Sequence, residues 1–315
     1  PQPDPVVMFR TNLTRERNIR GKLDGRVAIV TGAGRGLGRE HARLLAAHGV
    51  RVVVNDLGVG PDGVGADSDP AERVVAEIRD AGGEAIASGD DLADWDAAHR
   101  VIDPALREFG DLDIVVNNAG ILRDSTIVNM SEDDFDAVIR VHLQGHAATT
   151  KWAATYWREQ HKQGADRRRN LVHTSSTSGL YANPGQSNYG AAKSAIATFN
   201  QIAAHELEQY GVVSNCVVPG ARTRLTLASP GLPEIMEAPA EGFDVWDPAN
   251  ASPLVAYLAS HSCPFNGETF YVQGGTVRRL EPWSLVGTSI EQATRWEVDD
   301  LGEAMQAFAA APATR

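Results

Sequence analysis

The 315-residue sequence predicts an α/β fold with a single doubly wound parallel sheet and helices on both of its faces. Short apolar runs, typical of buried parallel strands, alternate with longer segments whose apolar residues recur at helical spacing. This alternation extends from about residue 26 to residue 275. A chain of this length can bury one large core, so the pattern favours one domain over two.

The first predicted strand, RVAIV at residues 26–30, leads directly into a glycine turn and then into a helix. The turn, TGAGRGLG, occupies residues 31–38, and the apolar residues of the following REHARLLAAHG recur at helical spacing. A bare backbone at a helix N-terminus attracts a pyrophosphate, because its N–H groups are free and the helix dipole is positive there. The spacing is G-x-x-x-G-x-G and does not fit G-x-G-x-x-G, because residue 37 is Leu. Such a turn alone is weak evidence for a nucleotide site, so the following elements must decide.

Two further predicted strands end in residues that suit a dinucleotide. RVVVND at 51–56 ends in Asp56, close to the expected distance from the first glycine for a carboxylate that binds the adenosine ribose. DIVVNNAG at 113–120 ends in small and amide residues, although alone it would be an ordinary strand-to-loop transition. Between these strands a Gly/Asp-rich loop ends in a helix start, with Asp69 as the predicted N-cap and Pro70 as the first helical residue.

The stretch HTSSTSGLYANPGQSNYGAAK contains a hydroxyl, a phenol and an ammonium at Ser176, Tyr189 and Lys193. Tyr189 and Lys193 are four residues apart, which places them side by side on a helix. A phenol has a pKa of roughly 10, and we expect the adjacent ammonium to lower the pKa of Tyr189, so that it acts as general base toward an alcohol or general acid toward a ketone. Ser176 would hydrogen-bond the same substrate oxygen. A lone YxxxK is more simply a chance arrangement, so the predicted dinucleotide site is what favours catalysis.

Together, the four ordered motifs resemble the short-chain dehydrogenase/reductase family over about residues 22–277. They are the glycine turn, NNAG, the Ser/Tyr/Lys set and a PG turn at Pro219 and Gly220. The resemblance implies a Rossmann-type domain and a nicotinamide cofactor, whose ribose Lys193 should also hydrogen-bond. The expected cofactor-binding residues are Thr31, Gly32, Arg35, Gly36, Leu37, Gly38, Asp56, Asp91, Leu92, Asn117, Ala119, Gly120, Tyr189, Lys193, Pro219, Gly220 and Thr223.

One position departs from the family pattern. Many members have an Asn in the helix after NNAG, where its backbone helps to hold a water of the proton relay, whereas this chain has His142. An imidazole there either relays protons or is simply a packed helix residue. The VHL around it, with NDLG, GQSNY and RLT elsewhere, looks most like the (3R)-hydroxyacyl-CoA dehydrogenase part of peroxisomal multifunctional enzyme type 2 and its bacterial relatives. This narrower resemblance suggests an acyl-CoA substrate.

The segment after the PG turn, about residues 221–248, is expected to be a lid over nicotinamide and substrate. Its apolar residues suit an acyl chain or a steroid equally well. Arg222 and Arg224 are candidates to meet an acidic substrate such as CoA, although lid charges can merely face solvent. The run 167–169, three arginines, precedes the strand that leads to Ser176 and is expected to form a solvated turn at the opposite edge of the sheet.

Composition limits the possible partners and compartments. A formal net charge of −12 argues against nucleic-acid binding, and no apolar run reaches the roughly 18 residues that a membrane span requires. The scattered histidines form no metal-ligand cluster, and a disulfide framework is improbable with only Cys216 and Cys263, which favours a reducing cytoplasm. NAD is preferred to NADP because Asp56 would repel a 2′-phosphate, although Arg35 is a residue that NADP-using relatives also have.

Extensions are predicted on both sides of the domain. Residues 1–21 are expected to lie over the surface, and the helical extension 278–315 includes a tail, SIEQATRWEVDDLGEAMQAFAAAP, read as one amphipathic helix. The Ala-rich helix 194–210 and the family habit of self-association predict a homo-oligomer, a dimer or a tetramer.

The sequence therefore predicts an NAD-dependent oxidoreductase that interconverts a (3R)-3-hydroxyacyl-CoA and its 3-oxoacyl-CoA. A hydroxysteroid dehydrogenase or a 3-oxoacyl carrier protein reductase are the alternative activities. A catalytically silent dinucleotide-binding module is the non-enzyme alternative, which the intact Ser176, Tyr189 and Lys193 set disfavours.

Overall fold

The computed structural model describes residues 20–65, 69–229, 231–281, 283 and 289–310. The predicted N-terminal extension lies outside the described residues, except for its last two positions. Eight strands form one sheet, and their bounds are β1 Val27–Thr31, β2 Arg51–Asn55, β3 Ala85–Ser88, β4 Ile114–Asn117, β5 Arg169–Thr174, β6 Val212–Pro219, β7 Thr269–Gln273 and β8 Thr276–Leu280.

The strand order is β3-β2-β1-β4-β5-β6-β7-β8, and every neighbouring pair is parallel except β7 and β8. The chain leaves β1 toward β2 and β3 on one side and returns to β4 on the other. This reversal is the topological switch point of a doubly wound sheet, and it opens a crevice beyond the carboxyl ends of β1 and β4. The predicted fold class is confirmed.

Helices cover both faces of the sheet. Their bounds are α1 Arg20–Leu23, α2 Gly36–Ala47, α3 Asp69–Asp80, α4 Glu132–Ile139, α5 Gly145–Lys162, α6 Ser178–Tyr181, α7 Ser187–Leu207, α8 Arg224–Leu227, α9 Leu232–Ile235, α10 Ser252–Leu258 and α11 Val298–Ala310. Two apolar cores result, because successive strand residues point to opposite faces. Ala28 and Val30 pack with α2, α3 and α10 in one core, whereas Val27 and Ile29 pack with α5 and α7 in the other.

The boundaries at the C-terminal side differ from the prediction. The predicted domain end at residue 277 falls inside β8, which extends the sheet to Leu280 as an antiparallel edge strand, and the compact unit also ends at Leu280. The tail is not one helix from Ser289, since α11 begins only at Val298, with the acidic Asp299 and Asp300 in its first turn. Helix α3 is assigned from Asp69 itself, one residue earlier than predicted.

The arginine run at 167–169 lies at the amino ends of the strands, as predicted, but it is not simply a solvated turn. Arg169 is buried as the first residue of β5, and its guanidinium pairs with Asp111 and Asp113, each at 2.8 Å. Arg167 also pairs with both carboxylates. The run is a structural ion-pair cluster because a buried guanidinium requires charged partners.

Candidate active site

A cavity of about 1200 Å³ lies at the carboxyl ends of the parallel strands, at the switch point. Its walls come from the glycine turn, the loops after β2 to β6 and the segment 221–248. All four predicted catalytic residues line it, namely Ser176, Tyr189, Lys193 and His142. Ser176 follows β5, and Tyr189 and Lys193 lie near the start of α7, so these two elements bring the three residues to the same edge of the sheet.

Tyr189 and Lys193 lie in the first two turns of α7, and Ser176 follows the end of β5. The Lys193 ammonium is buried and donates to the carbonyl of Thr174 at 2.6 Å, and it lies 5.6 Å from the centre of the Tyr189 ring. The hydroxyl of Ser176 accepts from the Ser178 amide at 3.2 Å. The three groups therefore share one wall of the cavity, with their backbone fixed by a strand end and a helix start.

The pKa values differ from the expectation that the Lys193 ammonium lowers the pKa of the Tyr189 phenol. Burial raises the pKa of the Tyr189 phenol above its usual value of 10, and hydrogen bonding with Ser176 opposes this rise. Burial also lowers the pKa of Lys193 to about 7. The prediction that Lys193 alone brings the tyrosine pKa toward neutrality is wrong for the site as it stands, because desolvation disfavours the charged form of both groups.

His142 is buried in a short π-helical segment, Arg140–Gln144, which joins α4 to α5. Its Nε2 lies 3.1 Å from the Ile121 amide and 2.8 Å from the Ile121 carbonyl, and its ring meets the Tyr189 ring edge-on at 5.1 Å. Burial lowers the pKa of His142 well below 6.5, and the Lys193 charge lowers it further, so the ring is neutral near pH 7. Its Nδ1 is buried without a hydrogen-bond partner among the described residues. The π-helical segment thus turns an imidazole toward the phenol.

The glycine turn has the shape of a cradle for a dinucleotide. Gly32 has φ +63°, and a Cβ there would lie 2.7 Å from the Ala119 Cα, so only glycine permits this approach of β1 and β4. Gly36 has φ +51° and begins α2, where Arg35 provides no side-chain cap. The first N–H groups of α2 are therefore free at the cavity, which fits a pyrophosphate. The residues present fit a nicotinamide dinucleotide.

Asp56 lies directly after β2 and contacts the glycine turn. Its two carboxylate oxygens accept from the amides of Gly34 at 2.8 Å and Gly58 at 2.7 Å. The guanidiniums of Arg35 and Arg224 both reach the carbonyl of Val59, three residues after Asp56, at 3.3 Å and at 3.4 to 3.5 Å. The adenosine end of the cavity thus contains one carboxylate and two arginines.

Most of the predicted cofactor residues line the cavity, but three do not. Those that line it are Gly32, Arg35, Gly36, Leu37, Asp56, Asp91, Leu92, Ala119, Gly120, Tyr189, Lys193, Pro219, Gly220 and Thr223. Thr31 is buried and its hydroxyl accepts from the amides of Asn118 and Ala119, which ties β1 to β4. Gly38 permits close packing, since a Cβ there would lie 2.3 Å from the Gly32 carbonyl oxygen. Asn117 points into the core and accepts from the Thr149 hydroxyl at 2.5 Å.

Several cavity residues were missed by the sequence analysis. Asn118, the second residue of NNAG, lines the cavity in place of Asn117, and strand alternation would have indicated that the two amides face opposite ways. Gln186, in GQSNY, accepts from Ser178 and donates to Asp124, both near the mouth. Trp246 and Tyr271 also line the cavity, and no local pattern marks them.

The segment 221–248 contains α8 and α9 and contributes Leu225, Leu232 and Met236 to the cavity. Neither arginine after the PG turn is poised for a substrate. Arg222 forms an ion pair with Asp244 and donates to the Met236 carbonyl at 2.9 Å, so its charge is compensated within the segment. Arg224 lies at the adenosine end, as described above. The prediction that they meet an acidic substrate at the mouth is not supported by these contacts.

A family model described as short chain dehydrogenase matches residues 26–228. The chain belongs to the short-chain dehydrogenase/reductase family. It is therefore an oxidoreductase that acts on CH–OH donors and binds NAD(P), and the non-catalytic alternative is set aside. In the part of the chain that the structure describes, no helix is both long and apolar enough to cross a membrane.

Curated relatives agree with the narrower resemblance. The chain is 40% identical over 282 residues to hydroxyacyl-CoA dehydrogenase ChsB1 of Mycobacterium tuberculosis, covering 89% of this chain and 87% of that protein. It is 43% identical over 262 residues to peroxisomal multifunctional enzyme type 2 of Drosophila melanogaster, covering 82% of this chain and 41% of that protein. This chain thus matches less than half of the multifunctional enzyme's length. A crystal structure of a short chain dehydrogenase from Mycobacterium avium aligns with a TM-score of 0.80 and 46% identity, covering 91% of this chain and 95% of that one.

Proposed function

We propose that this short-chain dehydrogenase/reductase oxidises a (3R)-3-hydroxyacyl-CoA reversibly to the 3-oxoacyl-CoA, with NAD as cofactor. The observation that carries the proposal is the cavity itself. It joins a hydroxyl, a phenol and an ammonium to a dinucleotide cradle and to the apolar side chains of Leu225, Leu232 and Met236. Such side chains suit an acyl chain whose third carbon lies at Ser176 and Tyr189. The name of one relative, hydroxyacyl-CoA dehydrogenase ChsB1, supports the same substrate class.

The residues of the chain supply positioning and proton transfer. The Ser176 hydroxyl and the Tyr189 phenol hydrogen-bond the substrate oxygen, and they stabilise the charge that develops there. Tyr189 takes the proton of the alcohol in oxidation and returns it to the ketone in reduction. A bound NAD(P) accepts or donates the hydride.

Lys193 is proposed to stabilise the charged form of Tyr189 during proton transfer. Its ammonium is held by the Thr174 carbonyl and lies over the Tyr189 ring, so it stabilises the phenolate when that form is produced. With a pKa of about 7, it changes charge near working pH. Thr174 also has a buried hydroxyl without a partner among the described residues, which is available to a group bound in the cavity.

His142 is proposed as a positioning residue and neutral relay for Tyr189. Its ring contacts the phenol edge-on, and its Nε2 is engaged by the Ile121 backbone. Since burial keeps the pKa of His142 well below 6.5, it does not act as a cation at neutral pH. It takes the place in the helix where many relatives have Asn.

NAD is proposed over NADP because Asp56 is already held by two backbone amides at the ribose end. A 2′-phosphate would be placed against a fixed carboxylate, and Arg35 and Arg224 only partly offset this repulsion. The test compares kcat/KM for NAD and NADP in the wild type, in Asp56→Ala and in Asp62→Ala, an exposed carboxylate of the same loop. We expect Asp56→Ala alone to lower the NAD preference, by about tenfold or more. A wild type that prefers NADP, with a ratio unchanged in Asp56→Ala, overturns the proposal.

A substrate panel tests the reaction. Purified protein is given NAD with the two enantiomers of 3-hydroxyacyl-CoA thioesters of several lengths, with carrier-protein thioesters and with hydroxysteroids, and reduced cofactor is followed by absorbance. We expect turnover of the (3R)-CoA thioesters. Failure of every CoA thioester, with a steroid or a carrier-protein thioester accepted, replaces the proposal by one of those two activities.

We also propose a homo-oligomer in a reducing cytoplasm. Ile202 on α7 is about half exposed, which supports self-association through this helix, and Cys216 and Cys263 are both buried and free. Light scattering after size exclusion should give a dimer or tetramer, and a monomer at micromolar concentration contradicts the first part. Fluorescent-tag imaging in the source cell tests the location.

A further inference from the structure

A second, smaller cavity of about 570 Å³ adjoins the catalytic one and forms a groove toward the edge of the sheet. The groove is lined by Thr177, Tyr181, Val245, Tyr271, Gln273 and Arg278, among others. Thr177 and Tyr271 line both cavities, and Thr177 directly follows Ser176. The groove therefore opens beside the catalytic serine.

The register of the β7–β8 hairpin decides which arginine faces the groove. Tyr271 pairs with Arg278 and Phe270 pairs with Arg279, so the two pairs point to opposite faces of the sheet. Phe270 belongs to the core on the far face, and Arg279 forms an ion pair with Glu268 at 3.7 Å. Arg278 thus shares the face of Tyr271 and lines the groove.

The charge of Arg278 is available to a ligand. Among the described residues, Arg278 has no ion-pair partner, in a chain with 41 acidic and 29 basic residues. Of the two arginines after the PG turn, Arg222 pairs with Asp244, and Arg224 contacts the Val59 carbonyl. An exposed guanidinium at the end of a groove is suited to a phosphate, which it contacts through two parallel N–H groups.

The groove contains polar side chains besides Arg278, among them Thr177, Tyr271 and Gln273. The Tyr271 hydroxyl donates to the Gln273 side chain, and both groups can hydrogen-bond amide groups of a ligand. Val245, from the segment 221–248, lines the groove and packs closely on Gly274, where an added Cβ would lie 3.3 Å from it. A 3-hydroxyacyl thioester has two arms on its third carbon, one apolar and one with amides and phosphates, and the site offers two matching routes.

We propose that the acyl arm lies under Leu225, Leu232 and Met236, and that the pantetheine arm of the thioester follows the groove from Thr177 to Arg278, which binds its phosphate. This inference rests on the proposed acyl-CoA function and replaces Arg222 and Arg224 as the anion-binding residues. The pantetheine phosphate is common to CoA and to carrier proteins, so the experiment includes both.

The test compares Arg278→Ala with Arg279→Ala, which removes the same charge from the next residue of the same strand on the opposite face. Each variant is assayed with a 3-oxoacyl-CoA and with the matching N-acetylcysteamine thioester, which lacks the phosphates. We expect Arg278→Ala to lower the ratio of kcat/KM for the CoA thioester to that for the short thioester by about tenfold or more, mainly through KM. Arg279→Ala should leave this ratio unchanged, and Arg278→Lys should restore part of it.

The outcomes distinguish failure of the proposed binding groove from failure of the proposed reaction. An unchanged ratio in Arg278→Ala, or an equal fall in both variants, overturns the groove while the reaction stands. If the wild type turns over no CoA thioester but accepts a carrier-protein thioester, and Arg278→Ala raises KM for it, the groove stands with the carrier as the phosphate source. If it accepts neither thioester, both proposals fall. Thermal melting of each variant shows whether it has folded.

Discussion

The two ends of the sheet both bury charged groups, but within the described part of the chain these groups are ion-paired at one end and lack charged partners at the other. At the amino ends of the strands, Arg26 and Arg169 surround Asp113, whose carboxylate accepts from the Val27 amide at 3.0 Å and from Arg169 at 2.8 Å. At the carboxyl ends, Lys193 is buried with a backbone carbonyl as its partner. The amino end pairs opposite charges, whereas the carboxyl end leaves a cation and a phenol to be completed by ligands.

The pKa values express this difference. Although burial alone would raise it, the hydrogen bond from Arg169 keeps the pKa of Asp111 below its usual value, so the cluster stays ionised. Burial lowers the pKa of Lys193 to about 7 and raises that of Tyr189 above 10. A paired end stabilises the fold, whereas the unpaired end holds Lys193, whose protonation changes near working pH. Catalysis belongs at the second end because a proton must move there.

The largest expected effect of a single change is at the carboxyl end. Tyr189→Phe removes the transferable proton and leaves the ring, so kcat should fall by roughly 10²- to 10⁴-fold while cofactor binding and melting temperature stay close to wild type. Steady-state kinetics, with cofactor titration by fluorescence, measure both quantities. A kcat near that of the wild type contradicts the role of Tyr189.

At the amino end, a change of charge should affect stability and not turnover. Asp113→Asn leaves Arg169 and Arg26 with less compensation in a buried site, so the free energy of unfolding should fall by about 3 kcal/mol. Urea unfolding measures this, and kcat of the folded variant should be unchanged. Glu159→Gln, which breaks an exposed pair with Lys162, is the control and should leave the free energy of unfolding close to that of the wild type. Equal effects of the two substitutions would remove the distinction between the ends.

The stability of the enzyme without cofactor should rise with pH between about 7 and 8.5. The pKa of Lys193 is about 7 in the folded chain and higher in the unfolded chain, so the unfolded chain binds more protons in this window and each rise in pH favours the folded state. The slope is at most about 1.4 kcal/mol per pH unit from one group. Above pH 8.5 the raised pKa of Cys216, about 12, acts in the opposite direction.

Lys193→Met should flatten this pH dependence, and Lys162→Met, which changes an exposed lysine, should not. Urea unfolding at pH 7.0, 7.75 and 8.5 gives the slope of the free energy of unfolding against pH for the wild type and for each variant. If Lys193→Met keeps the wild-type slope, another group is responsible and the buried ammonium does not have the lowered pKa.

The smallest effect is expected at His142. His142→Asn introduces the residue type expected here from the family resemblance and should reduce kcat by less than about tenfold, because a small hydrogen-bonding side chain still fits beside Tyr189. His142→Ala leaves a gap against the phenol and should reduce kcat further and shift its pH profile. If both variants keep the wild-type pH profile, His142 only fills space in the helix.

The positions of the candidate catalytic residues were predictable because their signals are local. The helical spacing of Tyr189 and Lys193, the bare glycine turn and the wholly apolar strands are each contained within a few residues, and the parallel fold then brings the strand ends to one edge. This placed Ser176, Tyr189, Lys193 and the turn at the cavity. Asp56 was predicted in the same way, from its place at the end of a predicted strand and its distance from the first glycine of the turn.

Tertiary structure alone decided the properties that depend on partners distant in the sequence. Arg222 is neutralised by Asp244, twenty-two residues later, so no pattern around it indicated that its charge was spent. The raised pKa of Tyr189 depends on how much of the phenol is removed from water. The groove at Arg278 depends on an antiparallel register that no local motif marks. The sequence by itself determined which chemical groups are present and the fold that gathers them, whereas packing determined which of them keep a free charge, because desolvation and ion pairing act through space and not along the chain.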